Sequence, residues 1–211
     1  MVELLKGIHV IDHSDAKDHS METWILDCPE GTVIVDGGQS PKAVDNIKSE
    51  LGSMGKSWKD VKLILITHKH GDHINNLPKL KELTGAPVKS EEHEAPLIKQ
   101  AKGVSVEGAK DGEVLPFCGG IQVIHVPGHS EGNACYYLKN RKVMIAGDTL
   151  FGDPEGNINP PPEKYCLDCE QATREIKRLL DYDFDTLLIT HGKGTEKGAK
   201  AKVEKLVEET S

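Results

Sequence analysis

Two apolar segments of this chain each end in a histidine. Residues 61–67 read VKLILIT and precede His68, and residues 186–190 read TLLIT and precede His191. A nearly continuous run of Val, Ile and Leu is typical of a strand that is covered on both faces. We therefore expect buried strands in the middle of the protein, helices outside them, and imidazoles at the points where these strands end.

Charge and length exclude several classes of protein. The 211 residues include 26 Lys and Arg against 34 Asp and Glu, a formal net charge of −8. This acidic balance predicts a protein that binds neither nucleic acid nor an anionic membrane. No segment approaches the ~18 apolar residues of a membrane span, and residues 1–18 lack the order of a signal peptide. The five cysteines, an odd number, argue against a disulfide scaffold and for a reducing compartment, so we expect a cytoplasmic protein.

The order of the predicted elements indicates one domain over residues 1–211. Strands are expected over residues 2–5, 8–12, 23–28, 32–36, 61–67, 121–126, 134–138, 142–146 and 186–190. Helices are expected after Pro41, from about His73 to Leu83, over residues 91–100, after an N-cap at Asp168, and over residues 195–208. Strand-rich stretches that are each followed by helices favour two sheets packed face to face. The fold class is therefore α/β, with the four layers of an αββα sandwich.

The densest cluster of chemically reactive side chains lies over residues 67–73, which read THKHGDH. His68 and His70 are two residues apart, so in an extended chain they point the same way. Gly71 lets the chain turn, and Asp72 and His73 then stand at the start of a helix. Imidazole and carboxylate groups are ligands for zinc, iron or manganese. Histidine has no special preference for turns, so this composition predicts a metal site, and ligands on two sides of one turn can serve two ions.

Three further candidates follow other predicted strands. His129 lies in the sequence Pro-Gly-His, Asp148 in Gly-Asp-Thr-Leu-Phe, and His191 directly follows the last buried strand. Each of them alone is a common turn residue. Loops at one end of a sheet converge on one cleft, however, so together they predict a single site with residues 68–73.

The ordered set His-x-His-x-Asp-His, Pro-Gly-His, Gly-Asp-x-Leu-Phe and a late histidine resembles the metallo-β-lactamase superfamily. The likeness runs from about Thr23 to His191 and is strongest to its glyoxalase II-like branch, the hydroxyacylglutathione hydrolase-like enzymes. It implies an αββα fold, which agrees with the layers argued above. It also implies an enzyme, a metal-dependent hydrolase.

The resemblance implies roles for seven residues. His68, His70 and His129 would hold the first metal, Asp72, His73 and His191 the second, and Asp148 would bridge both. The cofactors would be two divalent ions, zinc first, with iron or manganese as alternatives. A metal-bridging hydroxide would attack the carbonyl of a thioester, lactone or ester. Asp72 would be catalytic as well, because it can orient the nucleophile or accept its proton.

Other interpretations remain open. A mononuclear iron sulfur (persulfide) dioxygenase of the same superfamily would use chiefly His68, His129 and Asp148. A non-catalytic metal or redox module would use Cys166 and Cys169, which also read as two ordinary thiols one helical turn apart. Twenty residues follow His191 (211 − 191), and the late motif lacks a Pro-Gly, which predicts that a glutathione thioester is not the substrate.

The substrate is expected to be a small molecule whose recognition lies in residues 86–118 and 151–168. The sequence identifies no substrate-binding residue, and assembly into a homo-oligomer stays open. Among the other histidines, His9, His13 and His19 are expected on a polar edge and His93 on a solvated helix. His125 is expected to pack or to support a ligand rather than to bind a metal itself.

Overall fold

A computed structural model describes residues 2–14 and 21–210, so the expectation for His19 falls outside the described residues. The strands are β1 (Val2–Leu5), β2 (Ile8–Asp12), β3 (Glu22–Cys28), β4 (Gly31–Val35), β5 (Val61–Leu65), β6 (Val88–Glu91), β7 (Glu107–Ala109), β8 (Val114–Leu115), β9 (Ile121–His125), β10 (Ala134–Leu138), β11 (Val143–Gly147), β12 (Phe151–Gly152), β13 (Ile158–Asn159) and β14 (Thr186–Ile189). The α-helices are α1 (Pro41–Ser53), α2 (Gly71–Ile74), α3 (Leu77–Thr84), α4 (Ala95–Lys102), α5 (Cys169–Glu175) and α6 (Ala199–Thr210). Short 3-10 turns cover Trp58–Asp60, Lys139–Arg141, Glu163–Tyr165 and Ile176–Asp181.

Two mixed sheets form the centre of the molecule. The first has seven strands in the order β1-β2-β3-β4-β5-β6-β7, antiparallel up to β4 and parallel from β4 to β7. The second has five strands in the order β14-β11-β10-β9-β8, with β11 and β14 parallel. Strands β9, β10 and β11 follow one another along the chain as antiparallel neighbours. Strands β12 and β13 form a separate small ribbon.

Alternate side chains along the strands fill three separate apolar layers. In β5, Leu63 and Leu65 face the other sheet, whereas Ile64 packs with helices α1, α3 and α4. In β11, Val143 and Ile145 join the layer between the sheets, whereas Met144 packs against the layer that contains α6. A strand with both faces covered has no polar face, which explains the continuous apolar runs in the sequence. The predicted α/β class and αββα layering are confirmed.

Two of the predicted helices begin later in the chain than expected. The helix expected over residues 91–100 is the end of β6 followed by α4, which starts at Ala95. Glu91 and Glu94 are fully buried, so the polar composition there does not indicate a solvated helix. The helix expected from residue 195 begins at Ala199, because Thr195 exchanges two backbone hydrogen bonds with Leu187. By contrast, Asp168 does cap α5: its side chain accepts the Gln171 N–H at 2.9 Å.

The cysteine count argued against a disulfide scaffold, yet the structure contains one disulfide. Cys28 at the end of β3 and Cys118 between β8 and β9 form a disulfide across 90 residues of sequence, and Cys135, Cys166 and Cys169 are free. Five cysteines can form one disulfide and leave three free thiols. Disulfides are rare in a reducing cytosol, so the bridge weakens the cysteine argument for a cytoplasmic location, which stays a prediction. None of the described helices is both long and apolar enough to cross a membrane.

Candidate metal centre

Five loops at one edge of the two sheets hold the predicted donors and Asp36, which contacts one of them. They follow β4, β5, β9, β11 and β14 in the chain. His70 keeps an extended backbone and its carbonyl accepts the N–H groups of His73 and Ile74, which starts α2 directly after it. This local turn places Asp72 and His73 on the first turn of α2, beside His68. The short spacing in the sequence is therefore converted into proximity by one tight strand-to-helix turn.

The first donor group consists of three imidazoles. The Nε2 of His68 lies 3.0 Å from Nδ1 of His70 and 3.1 Å from Nε2 of His129. His68 and His129 are buried, and His70 is half-buried at the edge of a cleft. His129 reaches this position from the loop after β9, 61 residues further along the chain. The three residues thus offer nitrogen donors close enough together to share one ion.

The second donor group combines two carboxylates with two imidazoles. The Nε2 of His191 lies 3.1 Å from Oδ2 of Asp72 and 3.3 Å from Oδ2 of Asp148. The Nε2 of His73 lies 3.3 Å from Oδ1 of Asp148. The four residues offer donor atoms within 4.8 Å of one another.

Asp148 stands between the two groups. Besides its contacts to His73 and His191, its Oδ2 lies 3.5 Å from Nε2 of His129 and 3.9 Å from Nε2 of His68. The structure therefore brings together all seven predicted residues, divided as the resemblance implied. Their roles as ligands stay a prediction.

Unpaired buried atoms in this cluster fit the binding of cations. The Nε2 of His73 and the Oδ1 of Asp148 are buried and make no hydrogen bond of acceptable geometry within the described residues. Three ring nitrogens of His68, His70 and His129 also converge, and each ring nitrogen carries either one proton or one lone pair. Buried polar atoms without partners are costly in free energy. A divalent cation such as zinc accepts lone pairs from both imidazole and carboxylate groups, so the donor set fits such an ion.

Electrostatics separate the two groups. Burial lowers the pKa of His129 to about 4 and holds the pKa of His68 well below its ordinary value, so both rings are neutral and can donate a lone pair. Burial also acts against the charged form of His191, but hydrogen bonds to Asp148 and Asp72 outweigh it and raise the pKa of His191 to about 10. The two carboxylates of the second group thus favour positive charge on the imidazoles beside them. The group therefore attracts positive charge, which protons supply when no metal is present.

Sequence comparison agrees with this geometry. The family model described as "Metallo-beta-lactamase superfamily" matches residues 23–191. The chain belongs to the metallo-beta-lactamase superfamily. A structure of a metallo-beta-lactamase family protein from Thermus thermophilus superposes with a TM-score of 0.76 at 21% identity, covering 98% of this chain and 80% of that one. This likeness supports the fold.

Two curated relatives are named as a hydroxyacylglutathione hydrolase and as an ACP thioesterase. The hydroxyacylglutathione hydrolase of Rhizobium meliloti (strain 1021) is 38% identical over 92 residues, which cover 42% of this chain and 33% of that protein. The atrochrysone carboxyl ACP thioesterase of Claviceps purpurea (strain 20.1) is 30% identical over 173 residues, 81% of this chain and 50% of that protein. The matched segments thus span half or less of the length of these two relatives.

Asp36 is a functional residue that the sequence analysis missed. Its buried carboxylate accepts hydrogen bonds from the N–H and the hydroxyl of Thr67, and its Oδ2 lies 2.8 Å from Nδ1 of His73. A carboxylate behind an imidazole fixes the tautomer and the orientation of a metal-ligating ring. One pattern could have revealed it: an acidic residue directly follows β4, the parallel neighbour of β5.

Glu94 is a second missed residue of this kind. Its buried carboxylate accepts the backbone N–H of Lys69 at 2.7 Å and that of Gly132 at 2.6 Å. Lys69 lies between His68 and His70, and Gly132 lies three residues after His129. Glu94 therefore joins the two loops that deliver the imidazoles of the first group. The run of glutamates around it gave no sequence indication of this role.

A cleft of about 720 Å³ opens onto both donor groups. Beyond the donors, its walls come from Met21, Gln39, Phe151, Pro162, Lys164 and Tyr165. Phe151 stacks on His191 with ring centroids 5.0 Å apart, and Tyr165 is 49% exposed at the rim. Phe151 lines the cleft, whereas Leu150, its neighbour in sequence, packs in the core. Part of the cleft is thus apolar and aromatic, next to a charged floor.

The cysteines near this cleft are thiols and not an activated pair. The Sγ of Cys166 donates to the carbonyl oxygens of Pro161 and Pro162, both at 3.6 Å. Burial raises the pKa of the Cys166 thiol to about 12, with the neighbouring Cys169 acting in the same direction. A thiol with a raised pKa is a poor nucleophile at neutral pH. This disfavours the redox-module interpretation.

Proposed function

We propose that this chain is a dinuclear metal-dependent hydrolase that attacks the carbonyl carbon of a thioester, lactone or ester. The observation that carries the proposal is the position of Asp148, whose carboxylate contacts donors of both groups. A mononuclear centre would use only His68, His129 and Asp148. It would not explain why four further donors lie in the same cluster, namely His70, Asp72, His73 and His191. Five of the seven residues line one cleft, and the buried His68 and His73 contact them, which suits two ions.

The donor chemistry selects the ions. Five imidazoles and two carboxylates suit zinc, with iron or manganese as alternatives. Two such ions would supply Lewis acidity and a water molecule whose pKa is lowered towards neutrality. Within the described residues, no serine, threonine or cysteine lines the cleft, so no nucleophile of these three types competes with water there.

The chain's own residues would divide the remaining work. Asp72 is half-buried at the cleft, where its carboxylate can orient the attacking water or accept its proton. Asp36 holds His73 from behind, and Glu94 fixes the backbone on either side of the first group. Phe151 and Tyr165 offer apolar surface for an acyl or thiol portion of the substrate. The names of the two curated relatives make thioesters the first class to test.

The test combines metal analysis with a panel of thioesters, lactones and esters. We expect about two zinc ions per chain at the proposed centre and turnover of at least one thioester. His70→Ala should lose metal and lower kcat/KM by more than about 100-fold, beyond the effect of a residue that only supports a ligand. His9→Ala is the matched control, because His9 pairs with Glu50 at 2.7 Å and has no place in the cleft.

Two outcomes would overturn the proposal. One iron per chain together with oxygen uptake would identify the dioxygenase, and a His70→Ala protein with full metal content and full turnover would remove the centre altogether. Circular dichroism of both variants checks that the fold survives the substitutions.

A further inference from the structure

A third cluster of metal-ligating side chains lies outside the two groups described above. It consists of Glu91 at the end of β6, His93 two residues later, and His125 at the end of β9. Each residue offers one donor atom, and these atoms lie within 4.8 Å of one another. The cluster shares no residue with the proposed catalytic centre.

The carboxylate of Glu91 is buried, although it lies at the end of a strand. Its Oε2 accepts the backbone N–H of His93 at 2.7 Å, and its Oε1 lies 2.7 Å from Nδ1 of His93 and 3.9 Å from Nδ1 of His125. A buried carboxylate requires positive charge or hydrogen-bond donors close by. Within the described residues, the two ion-pair contacts of the Glu91 carboxylate are both to imidazoles.

The hydrogen bonding of His125 decides which of its nitrogens is free to donate a lone pair. Its Nε2 lies 2.9 Å from the carbonyl oxygen of Glu131. A carbonyl oxygen only accepts, so Nε2 carries the proton in this contact and the lone pair of a neutral ring is on Nδ1. That lone pair faces a carboxylate oxygen at 3.9 Å, too far for a hydrogen bond. Two electron-pair donors thus face each other across a gap.

Ring stacking holds His93 and His125 next to each other. They stack with centroids 5.1 Å apart and an angle of 12° between their planes. The side chain of His93 is 59% exposed, so water and ions reach the cluster from solvent. Metal bonds of ~2.1 Å in a tetrahedron place neighbouring donors about 3.4 Å apart. To hold an ion, the 3.9 Å pair of His125 and Glu91 has to close and the 2.7 Å pair of His93 and Glu91 has to open, each by less than about 1 Å.

We propose that Glu91, His93 and His125 form a separate binding site for a divalent transition-metal ion of the zinc, nickel or copper class. Two imidazole nitrogens and one carboxylate oxygen bind the ion, and water completes its coordination. Nitrogen donors exclude calcium and magnesium as preferred occupants.

Such a site would act as a clip between the two sheets. Glu91 ends a strand of the seven-stranded sheet, and His125 ends a strand of the five-stranded sheet, 34 residues later (125 − 91). A metal that closes such a loop stabilises the folded state by restricting the unfolded one. The role is structural and does not depend on hydrolysis.

The experiment counts zinc ions and measures thermal stability in chelator-stripped protein titrated with zinc. Wild type should bind one zinc more than His93→Ala, and its melting temperature should rise further at zinc saturation. His93 does not line the cleft, so its replacement should leave the hydrolase activity unchanged, and circular dichroism checks that the fold survives the loss of this 2.7 Å partner of Glu91. His9→Ala is the matched control, because it also removes an imidazole that lies 2.7 Å from a buried carboxylate, that of Glu50. Within the described residues, His9 and Glu50 belong to no group of three metal-ligating side chains.

The double variant His70→Ala/His93→Ala separates this site from the catalytic centre. It should bind one zinc fewer than His70→Ala, whether or not the protein hydrolyses any substrate tested. Equal zinc counts and equal stabilisation in wild type and His93→Ala would overturn the proposal and reduce the cluster to an ion pair. Loss of zinc in His9→Ala would equally overturn it, because binding would then not depend on the cluster.

Discussion

Asp36 has a backbone φ of +63°, a conformation that asparagine and aspartate tolerate better than most residues. This left-handed turn at the end of β4 directs its carboxylate at Thr67 and His73 rather than at solvent. The hydrogen bond to Nδ1 of His73 leaves Nε2 for the second donor group. A single backbone conformation thus positions a ligand 37 residues away in sequence.

Replacing Asp36 by asparagine should weaken the metal centre without distorting the chain. Asparagine keeps the shape and tolerates the same φ, but it removes the negative charge behind His73. We expect metal affinity and kcat/KM to fall about 10–100-fold. Zinc titration against a competing chelator measures the first, and steady-state kinetics the second. The exposed Asp45→Asn on α1 controls for the change of charge, and unchanged zinc affinity in Asp36→Asn would contradict the argument.

His13 is a buried histidine whose charge state affects stability. Its Nε2 lies 2.9 Å from the hydroxyl of Thr23 and its Nδ1 3.2 Å from the amide of Asn46, so the edge position expected for it is wrong. Burial lowers the pKa of His13 from 6.5 to about 4, although Asp12 acts in the opposite direction. The unfolded chain therefore binds more protons than the folded chain between these two pH values. Stability that is present above pH 6.5 is lost as the pH falls towards 4.

A comparison of wild type with His13→Gln should isolate this titration. Between the two pKa values, the free energy of unfolding of wild type should fall relative to that of the variant, by at most about 3 kcal/mol. Urea unfolding at each pH provides the measurement. The difference is needed because burial raises the pKa of Glu22 to about 7, which changes stability in the opposite sense over an overlapping range. A difference between the two proteins that is independent of pH would refute the prediction.

At the scale of elements, the site depends on loops that approach one another too closely for side chains. His191 lies on the loop after β14, and its carbonyl accepts the N–H of Gly152 in β12 at 2.9 Å. Gly192 has a φ of +88°, and a Cβ there would lie 2.1 Å from the carbonyl oxygen of Gly152. This close backbone contact holds His191 beside Phe151.

Gly192→Ala should therefore displace the His191 loop, whereas Gly156→Ala should not. Gly156 has a similar φ of +84° but open space where a Cβ would stand, so it reports the conformational penalty alone. That penalty is about 1–2 kcal/mol. We expect Gly192→Ala to cost more than the control in thermal unfolding and to lower activity by about tenfold or more, since a misplaced ligand is expensive. Equal effects of the two variants would show that the contact between the loops is unimportant.

Sequence periodicity predicted some of the strands and was uninformative for others. β5, β11 and β14 were predictable because continuous apolar runs require two covered faces. The two-residue strands β8, β12 and β13 are too short for any periodicity to be visible. Glu91 and Glu94 looked solvated because they are glutamates, but tertiary contacts make their burial favourable, with a backbone N–H from a distant loop in the case of Glu94.

At the scale of the whole molecule, the Cys28–Cys118 disulfide joins the two sheets. Cys28 ends β3 in the first sheet, and Cys118 precedes β9 in the second. Both belong to the apolar layer between the sheets. A bridge that closes 90 residues of chain restricts the unfolded state considerably.

Reduction should lower the stability of the protein by about 2–5 kcal/mol. Under denaturing conditions without reductant, three thiols per chain should react with a thiol reagent, and all five after reduction. Thermal unfolding with and without reductant gives the energetic effect. Cys118→Ser is the control, since its melting temperature should not respond to reductant. Five reactive thiols before reduction would contradict the bridge.

The sequence by itself determined the layered fold and pointed to the seven donor residues, because both leave local marks. Apolar runs record burial on two faces, and a turn crowded with histidines has no folding reason of its own. The tertiary structure decided four features that no local sequence pattern indicates. These are the carboxylate of Asp36 behind His73, the hydrogen bonds of Glu94 to two loops, the pairing of Cys28 with Cys118, and the contact between Glu91 and His125. Each of these depends on segments distant in sequence that meet only when the chain has folded, and a single sequence records no such distance.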